Sequence, residues 1–180
     1  NSEIPYTSRD LNSKKIRGAE NAIIHLSNEL SNLGNNIEVF NNCVKNCVID
    51  NVKWSNIKNI NNKKNFDIAF TNNDIRLFEK IKTSKYVAFS HSIQSIEKFV
   101  RKGQLISFFK YKPKIVILGK YHNKNRNYLL KMFGTINLRW AVDQLFLETK
   151  LDDSIIEERA IFTSRRDRNL DILINLWKKN

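Results

Sequence analysis

Cysteine is scarce: Cys43 and Cys47 are the only two in 180 residues. They stand at a C-x3-C spacing with no third or fourth ligand nearby, so the case for a structural zinc is weak and free thiols in a reducing compartment are expected. No apolar run approaches the roughly 18 residues that a membrane-crossing helix needs, and no signal-peptide pattern opens the chain. Both absences point to a soluble, cytoplasmic protein. Glycine-dependent phosphate motifs are missing too: neither G-x-G-x-x-G nor the P-loop lysine pattern occurs, which leaves dinucleotide and triphosphate binding unsupported. Without G-x-S-x-G or H-E-x-x-H, a hydrolase reading has no handle. Acidic residues are few, 18 against 31 Lys and Arg, for a formal net charge of +13. That excess implies anionic partners, whether nucleic acid, a membrane surface or phosphorylated substrates, without choosing among them.

What is present is enough for a globular chain, since 41% of residues are hydrophobic and 11% aromatic over a length that supports one well-buried domain. Asn is the commonest residue, with Ile and Lys close behind. This is a compositional bias, so Asn-rich loops carry little functional weight. The basic charge is concentrated: from Lys98 to Val142 there is no Asp or Glu, while Lys98, Arg101, Lys102, Lys110, Lys112, Lys114, Lys120, Lys124, Arg126, Lys131 and Arg139 all fall inside. Aromatics interleave with them. Leu105 to Lys112 has the mixture of an interfacial segment near anionic lipid, and residues 98–131 are the candidate membrane contact. The same mixture suits single-stranded nucleic acid, and a solvated basic face with its aromatics turned inward accounts for it equally.

Hydrophobic periodicity sets out the elements. Ala22, Ile23, Leu26, Leu30 and Leu33 recur at helical spacing ahead of Gly34, predicting a helix from about Ala19 to Leu33, followed by a strand at Ile37 to Phe40. Val52 to Trp54 reads as a short strand. Phe66 to Phe70, Tyr86 to Phe89 and Lys114 to Leu118 read as apolar strands, each followed by a polar turn and a helix, striped respectively by Ile75, Phe78 and Ile81, by Ile93, Ile96 and Val100, and by Leu129, Leu130 and Phe133. Ala160 to Thr163 restarts the pattern, with Leu170, Leu173, Ile174 and Trp177 on a last helix. Apolar strands alternating with amphipathic helices predict an α/β fold, a mostly parallel sheet with helices on both faces. The polar opening around Pro5, with neither an initiating Met nor a strand ahead of the first helix, reads as a chain whose first strand is missing.

Ligands of such sheets bind outside the carboxyl ends of the strands. Asn72, Asn73, Ser90 and His91 fall there, together with the turn Arg17-Gly18-Ala19-Glu20, where a helix N-terminus offers unpaired N–H donors and partial positive charge. His91 is placed to hydrogen-bond a sugar hydroxyl or act near a reacting group, or else to cap the helix that follows. His25 and His122 have no visible metal partner and are assigned structural or surface roles.

The order of these features resembles glycosyltransferase family 4, of the GT-B fold. That family opens with a strand, a G-G-x-E turn and a helix leading to a second strand, and Arg17-Gly18-Ala19-Glu20 and Leu30 to Phe40 stand in those places. Ser90-His91 resembles the family's histidine after a later strand, Trp140-Ala141-Val142-Asp143 with Phe146 the close of the N-terminal domain, and Thr163-Ser164-Arg165 the V-G-R that opens the nucleotide-binding domain. The resemblance implies a GT-B N-terminal Rossmann-like domain at 1–146, an interdomain linker at 147–159, and at 160–180 the first strand and helix of a truncated C-terminal nucleotide-sugar-binding domain. It implies transfer of a hexosyl-type sugar from a nucleotide-sugar donor to a glycan or lipid-linked acceptor, with retention and without a metal, as in polysaccharide biosynthesis.

By position in the motifs, the resemblance gives His91 a catalytic place and puts Gly18, Arg17, Arg165 and Arg168 toward the donor. Asn72, Asn73 and Ser90 fall toward the acceptor. Three departures stand out: Arg17 replaces a glycine, Ser164 replaces the glycine before Arg165, and Arg168 stands for a phosphate-binding lysine expected about five residues after Arg165. The E-x7-E donor motif does not occur, so the 180-residue chain by itself is expected to be inactive. Two other readings stay open, a basic nucleic-acid-binding α/β domain and a GT-B-fold sugar-nucleotide epimerase.

Overall fold

The computed structural model describes residues 4–11, 16–60, 64–90, 95–138, 148 and 170–178. The chain divides into two compact units, Asn1–Trp140 and Ala141–Asn180. In the second, the described structure is essentially one helix, α5 (Leu170–Trp177), where the spacing predicts it. The boundary expected at residue 146, the Trp140 to Asp143 motif and the strand expected at Ala160 to Thr163 lie outside the described residues, as does all of the expected linker except residue 148.

The first unit is an α/β structure built on parallel strands. Helix α1 (Gly18–Asn32) buries Glu20, Ile23, Ile24 and Ser27 along one stripe. It stops because Gly34 takes φ +84°, and the N–H groups of Gly34 and Asn35 then donate back to the carbonyls of Ser31 and Leu30. This paired closure of the last turn needs a left-handed residue, which glycine supplies without steric cost. Strand β1 (Ile37–Asn41) follows at once and pairs in parallel with β3 (Val52–Asn56), which also takes β2 (Cys47–Ile49) antiparallel. Asp50 and Asn51 both have positive φ between β2 and β3, the geometry of a two-residue hairpin whose twist matches its strands.

A second sheet holds β5 (Ala69–Asn72), β7 (Tyr86–Phe89), β8 (Lys114–Ile117) and β9 (Thr135–Asn137) in that order, all parallel. The two-residue strands β4 (Asn65–Phe66) and β6 (Lys82–Thr83) form a small ladder of their own. The strand expected over Phe66 to Phe70 is therefore two, divided where the Asp67 carbonyl accepts the Thr83 hydroxyl at 3.0 Å.

The apolar runs of β7 and β8 are buried on both faces, as a covered parallel sheet requires. Val87, Phe89, Val116 and Leu118 join Ile23 and Ile24 of α1 and Val52 and Trp54 of β3 in one core cluster, which passes beneath α1 from the first sheet to the second. Ala88 and Ile115, on the opposite face, join Ile75, Phe78, Phe99, Phe108 and Leu130. That cover consists of the 3-10 turn Ile75–Lys80, α2 (Ile96–Arg101), α3 (Leu105–Tyr111) and the 3-10 turn Tyr128–Lys131.

Three of the predicted stripes in the first unit are corrected. In α1, Leu30 and Leu33 are exposed, and Ile24 and Ser27 face the core instead. Val100 is exposed, so α2 presents Phe99 inward instead. The helix expected around Leu129, Leu130 and Phe133 is split into α4 (Lys120–Asn125) and the 3-10 turn, because the Asn127 side chain caps a new start at the Leu129 N–H.

β1 closes one edge of its sheet and β5 one edge of the other. The two edges line the same cavity, about 560 Å³ in volume, with α1 along one wall. Among the described residues, no helix is long and apolar enough to cross a membrane.

Candidate functional site

Strands β5 and β7 deliver Asn72, Asn73 and Ser90 to the carboxyl edge of the second sheet, next to one another as the spacing predicts. Asn73 is the joint. Its φ is +67°, a left-handed conformation that Asn tolerates better than most residues. Three hydrogen bonds hold it there: its N–H donates to the Phe89 carbonyl at 2.9 Å, its Oδ1 accepts the Ser90 hydroxyl at 2.7 Å, and its carbonyl accepts the Gln104 side-chain amide at 3.1 Å. Backbone strain fixed this firmly is a device often found at ligand sites. Just before it, Thr71 Oγ1 and Asn72 Oδ1 are buried and have no hydrogen-bond partner among the described residues.

The first turn of α1 borders the cavity that this edge also lines. Ala19 and Glu20 share a cavity wall with Asn72 and Asn73. Gly18 is exposed, and a Cβ built on it meets nothing within 4 Å, so the fold leaves the space in front of this turn open. Arg17, at the cap position, is exposed and makes no side-chain capping bond. Glu20 is buried in the first turn, where its carboxylate already answers part of the helix dipole.

On the other side of Asn73 lies a basic pocket of about 680 Å³, lined by Asn73, Asp74, Arg76, Lys98, Arg101, Lys102 and Gln104. Asp74 is spoken for: it caps the Arg76 N–H at 3.1 Å and holds the Arg76 guanidinium in a two-point pair at 2.9 and 2.8 Å. Burial opposes ionisation of Asp74, but Arg76 outweighs it, so its carboxyl stays below the usual range. Burial lowers the Lys98 ammonium, and the charges of Lys102, Arg101 and Arg126 lower it further. Lys98 therefore feels three neighbouring cations.

Arg126 is only 3% exposed. Its Nη1 donates to the Val116 carbonyl at 2.9 Å, while Nε and Nη2 are buried without a partner among the described residues. Burial pulls its pKa down, yet a guanidinium keeps its proton. Burial and the Arg126 charge also depress His122, whose Nδ1 is buried and unpartnered among the described residues. A buried cation with unanswered donors, near enough to Lys98 to lower its pKa, favours an anionic group, above all one with several acceptor oxygens.

Gln104 and Arg126 were not legible as site residues in the sequence. Arg126 was one cation among many in the acid-free stretch, and only its burial sets it apart. His91, Arg165 and Arg168 lie outside the described residues. Cys43 and Cys47 are free thiols, Cys43 buried and its thiol pushed up by burial and by Cys47. Among the described residues no three His, Cys, Asp or Glu side chains are placed to hold a metal. No family model matches this chain, and neither a curated protein nor a solved structure matches it.

Proposed function

We propose that this chain is the acceptor-side part of a GT-B-type glycosyltransferase. It would move a hexosyl group, with retention and without a metal, from a nucleotide-sugar donor to a glycan or lipid-linked acceptor. The observation that carries the reading is the joint at Asn73. This residue borders both the cavity under the first turn of α1 and the basic pocket, at the carboxyl edge of a parallel sheet. A departing nucleoside diphosphate needs N–H donors and cations as its charge grows, and such groups are what this edge offers.

In this reading Arg17 and Gly18 face the donor diphosphate, and the family resemblance assigns Arg165 and Arg168 to donor binding as well. His91 sits by the transferred sugar, and Asn72, Asn73 and Ser90 bind acceptor hydroxyls. The test is release of nucleoside diphosphate from a panel of nucleotide sugars by the intact protein, with glycan and lipid-linked acceptors present. Acceptor-dependent release with at least one donor is the expected result. If the intact protein neither binds nor turns over any donor but binds oligonucleotides with steep salt dependence, the nucleic-acid reading replaces this one.

A further inference from the structure

Strands β7 and β8 run on to Phe89 and Ile117, but their paired register ends at Ala88 and Ile115. On its other side β8 bonds toward β9: the Ile115 N–H donates to the Gly134 carbonyl, and the Ile117 carbonyl accepts the Leu138 N–H. Backbone groups alternate in direction along a strand, so those of Val116 face β7. There the Val116 carbonyl accepts Nη1 of Arg126 at 2.9 Å. A guanidinium thus stands between the carboxyl ends of two parallel strands, where ligands of such sheets bind. Its other two nitrogens, Nε and Nη2, are buried without partners among the described residues. They are the adjacent pair that forms the two-point edge of a guanidinium. Arg76 shows that edge in use, since its Nε and Nη2 grip the two Asp74 oxygens at 2.9 and 2.8 Å. Arg126 presents the same edge, and no carboxylate among the described residues meets it. The stretch around it, from Lys98 to Val142, contains no Asp or Glu, and Asp74 of the basic pocket is committed to Arg76.

We infer that Arg126 anchors an oxyanion site that takes the terminal phosphoryl group of a small phosphorylated ligand, with Lys98 as the second cation. Two parallel N–H donors fit an anion that offers two oxygens side by side, so chloride and a single hydroxyl are poor occupants. Between a carboxylate and a phosphoryl group, charge decides. Lys98 is close enough for the Arg126 charge to depress its ammonium, and Arg101 and Lys102 act on it as well. A phosphate monoester, at about −1.5 to −2 near pH 7, answers both Arg126 and Lys98, whereas a carboxylate answers one of them. Between kinds of phosphate, burial decides. An anchor that is only 3% exposed admits the end of a slim molecule, not a phosphodiester held inside a polymer backbone. The pocket of about 680 Å³ that Lys98 shares with Asn73 and Gln104 has room for the remainder of such a ligand. Arg126 lies between β7 and β8, while the first turn of α1 borders the cavity lined by β1 and β5, so this position is distinct from the diphosphate site proposed at Arg17 and Gly18. The inference stands on Arg126 and its neighbours and does not rest on the sugar-transfer reading.

The test is calorimetric titration of the protein with inorganic phosphate, at an ionic strength held constant with chloride. One saturable site is expected. Arg126→Lys keeps the charge but removes the two-point edge, and should weaken phosphate at least about tenfold through loss of a charge-assisted bond. Lys98→Ala should weaken it about three- to tenfold. Lys45→Ala, at an exposed lysine between β1 and β2, should change it less than about twofold. Absence of saturable binding overturns the proposal, and so does equal affinity in Arg126→Lys. Should Arg126→Lys fail to fold, the unsubstituted protein decides: the Arg126 Nε–H resonance should shift with phosphate at the calorimetric midpoint, and a resonance that stays in place overturns the inference. Glycerol 3-phosphate and vesicles containing phosphatidate then identify the source, because the one that shifts this resonance marks the ligand as a soluble monoester or a lipid headgroup. Displacement of phosphate by an oligonucleotide without a terminal phosphate would overturn the choice of ligand and assign the site to nucleic acid.

Discussion

Gly18 is a glycine that the fold does not need. Its backbone is ordinary and a methyl group would meet open space. Gly18→Ala should therefore leave stability unchanged or raise it by about 0.4–1 kcal/mol, as thermal denaturation will show. If the turn receives donor phosphate, as proposed, the same variant loses turnover while keeping its fold; unchanged turnover removes Gly18 from the site. Asn73 is the opposite case, because its left-handed φ does matter. Asn73→Ala adds the strain of that conformation to the loss of the Ser90 bond, and should cost about 1–2 kcal/mol more than Asn73→Gly. Equal losses in denaturant melts would mean that the conformation carries no strain.

Asp74 supplies a pH signature. Its carboxyl is held below the usual range in the folded chain, so the folded state favours the ionised form. The resulting stability is complete above the unfolded value near 4 and is lost as pH falls through the lower folded value. Asp74→Ala should cost about 1–2 kcal/mol at neutral pH, through the lost cap and ion pair, and the deficit should shrink in acid. A deficit that stays constant from pH 7 to pH 3 in denaturant titrations would contradict this.

Among the elements, α3 is the clearest case of one segment with two environments. Phe108 is fully buried against Phe99 and Phe133, at ring-centroid distances of 5.5 and 5.1 Å, whereas Ile106 is 83% exposed. Phe108→Ala should cost about 3–5 kcal/mol, and Ile106→Ser less than about 0.5 kcal/mol. The aromatic-basic stretch that contains α3 is thus neither wholly core nor wholly interface. Lys112, left-handed at φ +46°, ends the helix ahead of the buried Pro113, so that Lys114 can start β8 at once. The β2–β3 hairpin turns on Asp50 and Asn51, both at positive φ. Asp50-Asn51 between Ile49 and Val52 is a turn signal, hidden among Asn residues whose abundance lowers the value of each.

At the scale of the whole molecule, the net charge of +13 and the exposed Val100, Ile106 and Phe109 of α2 and α3 suit the surface of an anionic bilayer. Co-sedimentation with vesicles rich in anionic lipid should be strong at low salt and largely lost near 0.5 M, where screening shortens the reach of charge to about 4 Å. Ile106→Ser with Phe109→Ser should weaken it several-fold by removing buried apolar area. Vesicles that fail to retain the protein at low salt would remove the membrane from the proposal. Release of binding by salt alone, with no effect of the two substitutions, would assign it to charge.

Local pattern determined much of this protein. The apolar spacing over Ala22, Ile23, Leu26, Leu30 and Leu33 located α1, although Ile24 and Ser27 rather than Leu30 and Leu33 face the core; Gly34 ended it, and the unbroken runs at Val87 to Phe89 and Ile115 to Ile117 specified buried strands, because a run apolar at every position needs cover on both faces. The polar residues that follow the Phe66 to Phe70 and Tyr86 to Phe89 runs, Asn72, Asn73 and Ser90, were legible as neighbours at one sheet edge. Tertiary structure decided what no spacing encodes: that Arg126, among many exposed cations, is buried with unanswered donors, that Gln104 reaches back to Asn73 across 31 positions, and that β1 and β5 face each other across an open slot. The physical reason is that periodicity records which face of an element is dry, whereas desolvation and edge pairing depend on what the rest of the chain brings alongside.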